Sequence, residues 1–89
     1  MSDSSESLLR FPCRFPIKAM GLAEDGFDDL IVAIVREHVP DLHEGAVVRR
    51  PSKGGKWLSV TVTIQATSRA QLDAIYQALS DHKKVVMAL

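Results

Sequence analysis

The stretch that decides the fold is WLSVTVTIQA, Trp57 to Ala66. Leu58, Val60, Val62, Ile64 and Ala66 are apolar at every second position, and Ser59, Thr61, Thr63 and Gln65 between them are polar. Successive side chains of a strand point to opposite faces, so this alternation predicts a strand with one buried and one open face. A strand of a doubly wound parallel sheet is covered, and therefore apolar, on both faces. The four polar residues exclude that arrangement and leave an antiparallel sheet covered on one side.

Immediately upstream, Ser52 to Lys56 form a glycine-centred turn, preceded by the short β-prone segment Ala46 to Arg50. The two strands read as a β-hairpin. Val47 and Val48 compete for the inward position, which leaves the register of the earlier strand open. Downstream, Thr67 or Ser68 can accept a bond from a free helical amide, and Ser68 with Gln71 has the capping-box spacing, in which each side chain satisfies the other residue's amide. Leu72, Ile75, Tyr76 and Leu79 then draw an apolar stripe, with Ala70, Ala74 and Ala78 on a slim side. Asp81 to Lys83 make the exit turn. Val85, Met87 and Leu89, alternating with Val86 and Ala88, predict a last strand.

The first half supplies one strand and one helix. Pro12 and Pro16 bracket a strand from Cys13 to Met20, and Pro16, lacking an amide hydrogen, suits an unpaired position or a bulge. Phe15, Ile17 and Ala19 face the core, with Arg14, Lys18 and Met20 opposite, and Gly21 is expected to turn the chain. Glu24, Asp25, Asp28 and Asp29 crowd the start of a helix, where carboxylates complement the positive end of the dipole. Phe27, Leu30, Ile31, Ile34, Val35 and Val39 form its apolar stripe. Arg36 and His38 lie near its end, and Pro40 closes it. Strand, helix, strand, strand, helix, strand with right-handed crossovers gives an α+β ferredoxin-like βαββαβ fold, a four-stranded antiparallel sheet with two helices on one face and the first and third strands central.

Composition bounds the function. The chain has 89 residues, enough for one core, read as a polar tail over 1–10 and a single domain over 11–89. Eleven basic and eleven acidic residues give a net charge of zero, so no long-range field gathers nucleic acid or an anionic membrane. One cysteine excludes an intrachain disulfide. The polar start lacks a basic segment followed by an apolar one, and no apolar run nears the roughly 20 residues of a membrane-spanning helix. A cytoplasmic protein without membrane association is expected.

No catalytic, metal or nucleotide motif accompanies the fold pattern. Cys13, His38, His43 and His82 are scattered without paired-ligand spacing, and nothing places Cys13 or a serine beside a histidine and an acid. The turn Lys53, Gly54, Gly55, Lys56 offers amides and lysines to an anion, yet it lacks the serine or threonine and the following helix of a P-loop, and a hairpin needs glycine for conformational reasons alone. Arg49, Arg50, Lys53, Lys56 and Trp57 are the basic and aromatic cluster. RNA-recognition domains of this topology stack bases on aromatic rings of the central strands, and Ser59, Thr61 and Thr63 carry none. The open face is the better candidate, expected to carry Lys18, Met20, Ser59, Thr61, Thr63, Gln65 and Val86.

Phe11, Pro12, Phe15 and Lys18 to Gly21, then Ser52 to Gly54, Ser59 to Val62, Ala66, Thr67, Gln71, Tyr76, Leu79 and the ending Val85, Met87, Leu89 resemble the YbeD-like family of bacterial proteins of unknown function. The resemblance spans Phe11 to Leu89, departing at Gly55 and Lys56 before Trp57. It implies a ferredoxin-like fold similar to small-molecule-sensing ACT domains, with Gly21 to Ala23 in the place of their ligand-binding turn, and it supplies no established catalytic residues to carry over; no cofactor is expected. The expectation is a non-enzymatic regulatory or interaction module that docks a protein partner or a second copy, or senses a small molecule. Its interaction residues are Lys18, Met20, Arg49, Arg50, Lys53, Gly54, Lys56, Trp57, Ser59, Thr61 and Thr63. Nucleic-acid or anion binding through Arg49 to Lys56 is the alternative.

Overall fold

The alternating stretch is strand β3, Trp57–Ala66, and its apolar residues from Val60 onward are buried while Ser59, Thr61 and Thr63 are not. The computed structural model describes residues 9–89, apart from the Glu44 side chain, so residues 1–8 of the expected tail lie outside the described residues. The chain runs β1 (Cys13–Leu22), α1 (Phe27–Arg36), a 3-10 turn (Glu44–Ala46), β2 (Val47–Pro51), β3, α2 (Arg69–Asp81) and β4 (Met87–Ala88). The strands form one sheet in the order β2-β3-β1-β4, antiparallel throughout, with β1 and β3 central. This is the ferredoxin-like arrangement. Ile17, Ala19, Val60 and Val62 from the sheet meet Phe27, Ile31 and Val35 of α1 and Leu72, Ile75 and Leu79 of α2 in one core. Each large side chain so enclosed contributes roughly 1.5–3 kcal/mol.

Strand β1 runs two residues further than expected, and Gly21 does not turn the chain. It is buried within the strand opposite Leu58, and a methyl group added there would lie 2.5 Å from Cε1 of Phe27 and closer still to the Lys84 carbonyl oxygen. Glycine is needed because α1 and the approach to β4 both press on the strand at this point. The bend comes after Leu22, where the Ala23 amide donates to the Lys56 carbonyl at 2.9 Å. Glu24 and Asp25 therefore precede α1, and only Asp28 and Asp29 lie in its first turn. Val39 is buried beyond the helix end, its amide bonded to the Val35 carbonyl at 3.0 Å.

At α2 the Ser68 hydroxyl accepts from the Gln71 amide at 3.0 Å, as the spacing requires. The return arm is displaced by one residue. Gln71 Oε1 accepts from the Thr67 amide at 2.8 Å, which leaves Gln71 Nε2 to donate to the His38 carbonyl at 3.0 Å and tie the entrance of α2 to the exit of α1.

Pairing resolves both edge strands. Val47 lies opposite Val62 and Val48 opposite Thr61, so Val47 turns inward and Val48 outward. At the other edge Met87 faces Met20, and Leu89 exchanges two backbone bonds with Lys18, at 3.0 and 2.8 Å. The open face thus carries Met87 and Leu89 as well, and Val86, exposed just before the strand, donates its amide to the Met20 carbonyl at 2.8 Å. Since Lys18 directs its amide toward β4, Pro16 directs its nitrogen to the same side, at a level that the two residues of β4 do not reach.

Candidate functional site: the open sheet face

Strand pairing arranges the outward side chains in rows. At one end Arg14 stands opposite Gln65 and Pro16 opposite Thr63. The middle rows are Val48, Thr61, Lys18, Leu89 and Arg50, Ser59, Met20, Met87. Leu22 beside Trp57 closes the far end. Leu22 is 49 % exposed, Val48 55 %, Met87 48 % and Leu89 63 %, with Trp57 at 36 %. Isolated apolar residues are ordinary on a surface, whereas a contiguous group marks a site of contact. The face is graded, from polar at Arg14 and Gln65 to apolar at Leu22, Trp57 and Met87.

Its charge is one-sided. Arg14, Lys18 and Arg50 are exposed, and among the described residues no outward-pointing strand residue is acidic. Among the described residues, none of these three cations enters an ion pair. The side-chain carboxylates of the described residues lie instead on the helices and loops.

The expected basic cluster is divided by the sheet. Arg49 pairs across to Val60 and so points toward the helices, where its guanidinium donates to the Asp28 carboxylate of α1. That bond holds the Asp28 carboxyl below its ordinary value, against a smaller opposing effect of burial. Arg50, one residue on, points to the open face. Adjacent residues on a strand cannot share a face, so Arg49 leaves the candidate surface, which gathers Lys18, Met20, Arg50, Trp57, Ser59, Thr61 and Thr63.

Lys53, Gly54 and Lys56 are exposed in the hairpin turn. Gly54 and Gly55 have φ of 93° and 78°, a region in which a side chain is strained, and the turn is closed by Ser52, whose hydroxyl accepts from the Trp57 amide at 3.0 Å. The Lys56 ammonium stands 5.5 Å from the centre of the Trp57 ring. The turn chemistry is accounted for by the hairpin itself. Leu22, Val48, Met87 and Leu89 were missed in the sequence, and the signal that finds them is strand parity once the register is known.

Other places offer less. A surface cleft of about 440 Å³ between α1 and β2 is lined by Asp29, Val32, Ala33, Arg36, Val47 and Arg49. Its cations are engaged, Arg49 with Asp28 and Arg36 with the Leu42 carbonyl at 3.4 Å. Gly21, expected in a ligand-binding turn, is enclosed by Phe27 and the Lys84 carbonyl. Cys13 is half-buried against the core. Among the described residues no three histidine, cysteine or carboxylate side chains gather to hold a metal, and no helix is long and apolar enough to cross a membrane.

Comparison with known proteins places this chain in a family. The profile described as a protein of unknown function, DUF493, matches residues 6–89. The chain belongs to that family. Its relatives include a UPF0250 protein of Janthinobacterium sp. (strain Marseille), 52 % identical over 98 % of this chain and 96 % of the relative. The UPF0250 protein of Chromobacterium violaceum is 52 % identical over the whole of both chains. These relatives bear out the YbeD-like resemblance. The solution structure of protein HP0495 from H. pylori superposes with a TM-score of 0.76 at 20 % identity, covering 100 % of this chain and 93 % of that one, and shows the shared fold. For this DUF493 protein the fold and family are established.

Proposed function

We propose that this protein is a non-enzymatic regulatory module that acts by holding a partner protein on the open face of its sheet. The observation that supports this reading is the contiguous group of Leu22, Trp57, Met20, Met87 and Leu89 on a face that the helices leave uncovered. Burying such a group on a partner removes apolar surface from water, worth about 25 cal/mol per Å². A small-molecule effector remains secondary, since the cleft beside α1 has its cations already engaged.

Site-specific photocrosslinking tests the reading. A photoreactive residue at Thr61 is expected to capture a discrete partner in cells, and one at Ala74 on the exposed side of α2 is not. Equal capture from both positions, or none from Thr61, overturns it.

A further inference from the structure

The charge and apolar pattern of the sheet face define the chemistry of what covers it. We infer that the occupant is an acidic, amphipathic segment of another protein, lying along β1 and β3 with carboxylates on Lys18 and Arg50 and apolar side chains on Met20, Met87 and Trp57. This inference rests on the binding-module reading and adds the partner's class to it.

Three observations select this occupant. Lys18 and Arg50 lie in the two adjacent middle rows, and among the described residues no outward strand residue supplies them with a carboxylate. A ligand bearing alternate acidic and apolar groups would supply both partners at once, as electrostatic complementarity requires. Met20 and Met87 stand directly opposite each other at the junction between the charged and apolar ends. Thioether side chains are unbranched and polarisable, and they repack around apolar groups of varied shape. The face extends about 26 Å along β1 and about 14 Å across four strands, from the rise per residue and strand spacing of a sheet. That strip matches one helix or extended segment better than a folded domain, whose stable interfaces take about 800 Å² per partner.

The same observations disfavour the other occupants. A second copy on this face would set Arg14, Lys18 and Arg50 against the same three cations. Single-stranded nucleic acid would find one aromatic ring, Trp57, and otherwise thioether, aliphatic and hydroxyl groups that do not stack with bases.

The test is selection of short random peptides, displayed on phage, against the full chain. Selected peptides are expected to combine aspartate or glutamate with large apolar residues, and to shift the amide resonances of Lys18, Ser59 and Thr61. Reversal of charge in Lys18→Glu with Arg50→Glu should weaken a selected peptide about tenfold or more. A peptide with its acids changed to lysine should then bind the double variant and not the parent. Selection without acidic enrichment, or binding that the double variant leaves unchanged, overturns the inference. So does a random single-stranded RNA pool that binds the parent more tightly than the peptides do, or self-association through these residues. If crosslinking from Thr61 captures a protein while the selected peptides are not acidic, the partner chemistry alone fails; if Thr61 captures nothing, the binding-module reading fails with it.

Discussion

Replacing Gly21 by alanine adds a single methyl group at the point where three elements converge. The new Cβ would stand 2.5 and 2.6 Å from Cε1 and Cζ of Phe27 and closer still to the Lys84 carbonyl oxygen, all inside contact distance. The Phe27 ring is itself 1 % exposed at the start of α1, so it has no room to swing away. The carbonyl belongs to the backbone that leads into β4. Overpacking of this kind costs about 1–3 kcal/mol, and two immovable neighbours place Gly21→Ala at the upper end, about 3 kcal/mol. For a domain of this size each kcal/mol moves the melting temperature by about 4–8 °C, giving a drop of roughly 12–24 °C. Urea unfolding followed by far-ultraviolet circular dichroism measures the effect. Gly45→Ala is the control, because nothing lies within 4 Å of its added methyl group and its backbone is not left-handed; it should leave stability within about 0.5 kcal/mol. Adding Phe27→Leu to Gly21→Ala removes the ring contacts and leaves the carbonyl contact, so the double variant should not regain the stability of Phe27→Leu alone. A Gly21→Ala protein as stable as its parent would refute the close approach.

Truncating Ile75, which is 0 % exposed, to alanine should cost about 2–5 kcal/mol in the same assay. Ser68→Ala removes the oxygen that accepts from the Gln71 amide and should cost about 1 kcal/mol. The Asp28 carboxyl is held below its ordinary value chiefly by its bond to Arg49, so its stabilisation is complete above that ordinary value and is lost as pH falls through the lowered one. Asp28→Asn should therefore be less stable than the parent at neutral pH, by at most about 1 kcal/mol for this partly exposed pair, with the difference vanishing in acid. Burial raises the Tyr76 hydroxyl above its ordinary value, so its protonated form favours the folded state; that contribution is present below the ordinary value and fades as pH rises through the raised one, which Tyr76→Phe in alkaline unfolding measures.

The central architecture was legible because its determinants are local. Trp57 to Ala66 alternates without interruption, and Ser68 marks the start of α2 through a bond to a residue three positions away. What escaped depends on contacts between distant segments. Gly21 looked like a turn residue because glycine serves turns and close approaches equally, and only the arrival of Phe27 and Lys84 distinguishes the two. Val47 and Val48 are chemically interchangeable, so their order waits on the register with β3. That one decision also sends Arg49 to Asp28 and Arg50 to the open face, dissolving a cluster that is continuous in the sequence. The spacing of Gln71 from Ser68 shows a cap, whereas its second function, the bond to the His38 carbonyl, joins residues far apart in the chain.

Pro16 has a consequence for how the molecule coexists with its own copies. The fourth strand reaches only the second half of β1, and among the described residues nothing pairs with the first half on that side, the kind of template on which β-rich chains polymerise edge to edge. A nitrogen without hydrogen sits on that flank and withholds a donor that a growing ribbon would require. Fibril growth at high concentration, followed by a dye that binds cross-β ribbons, should accordingly be faster for Pro16→Val than for the parent, with the folded sheet otherwise intact.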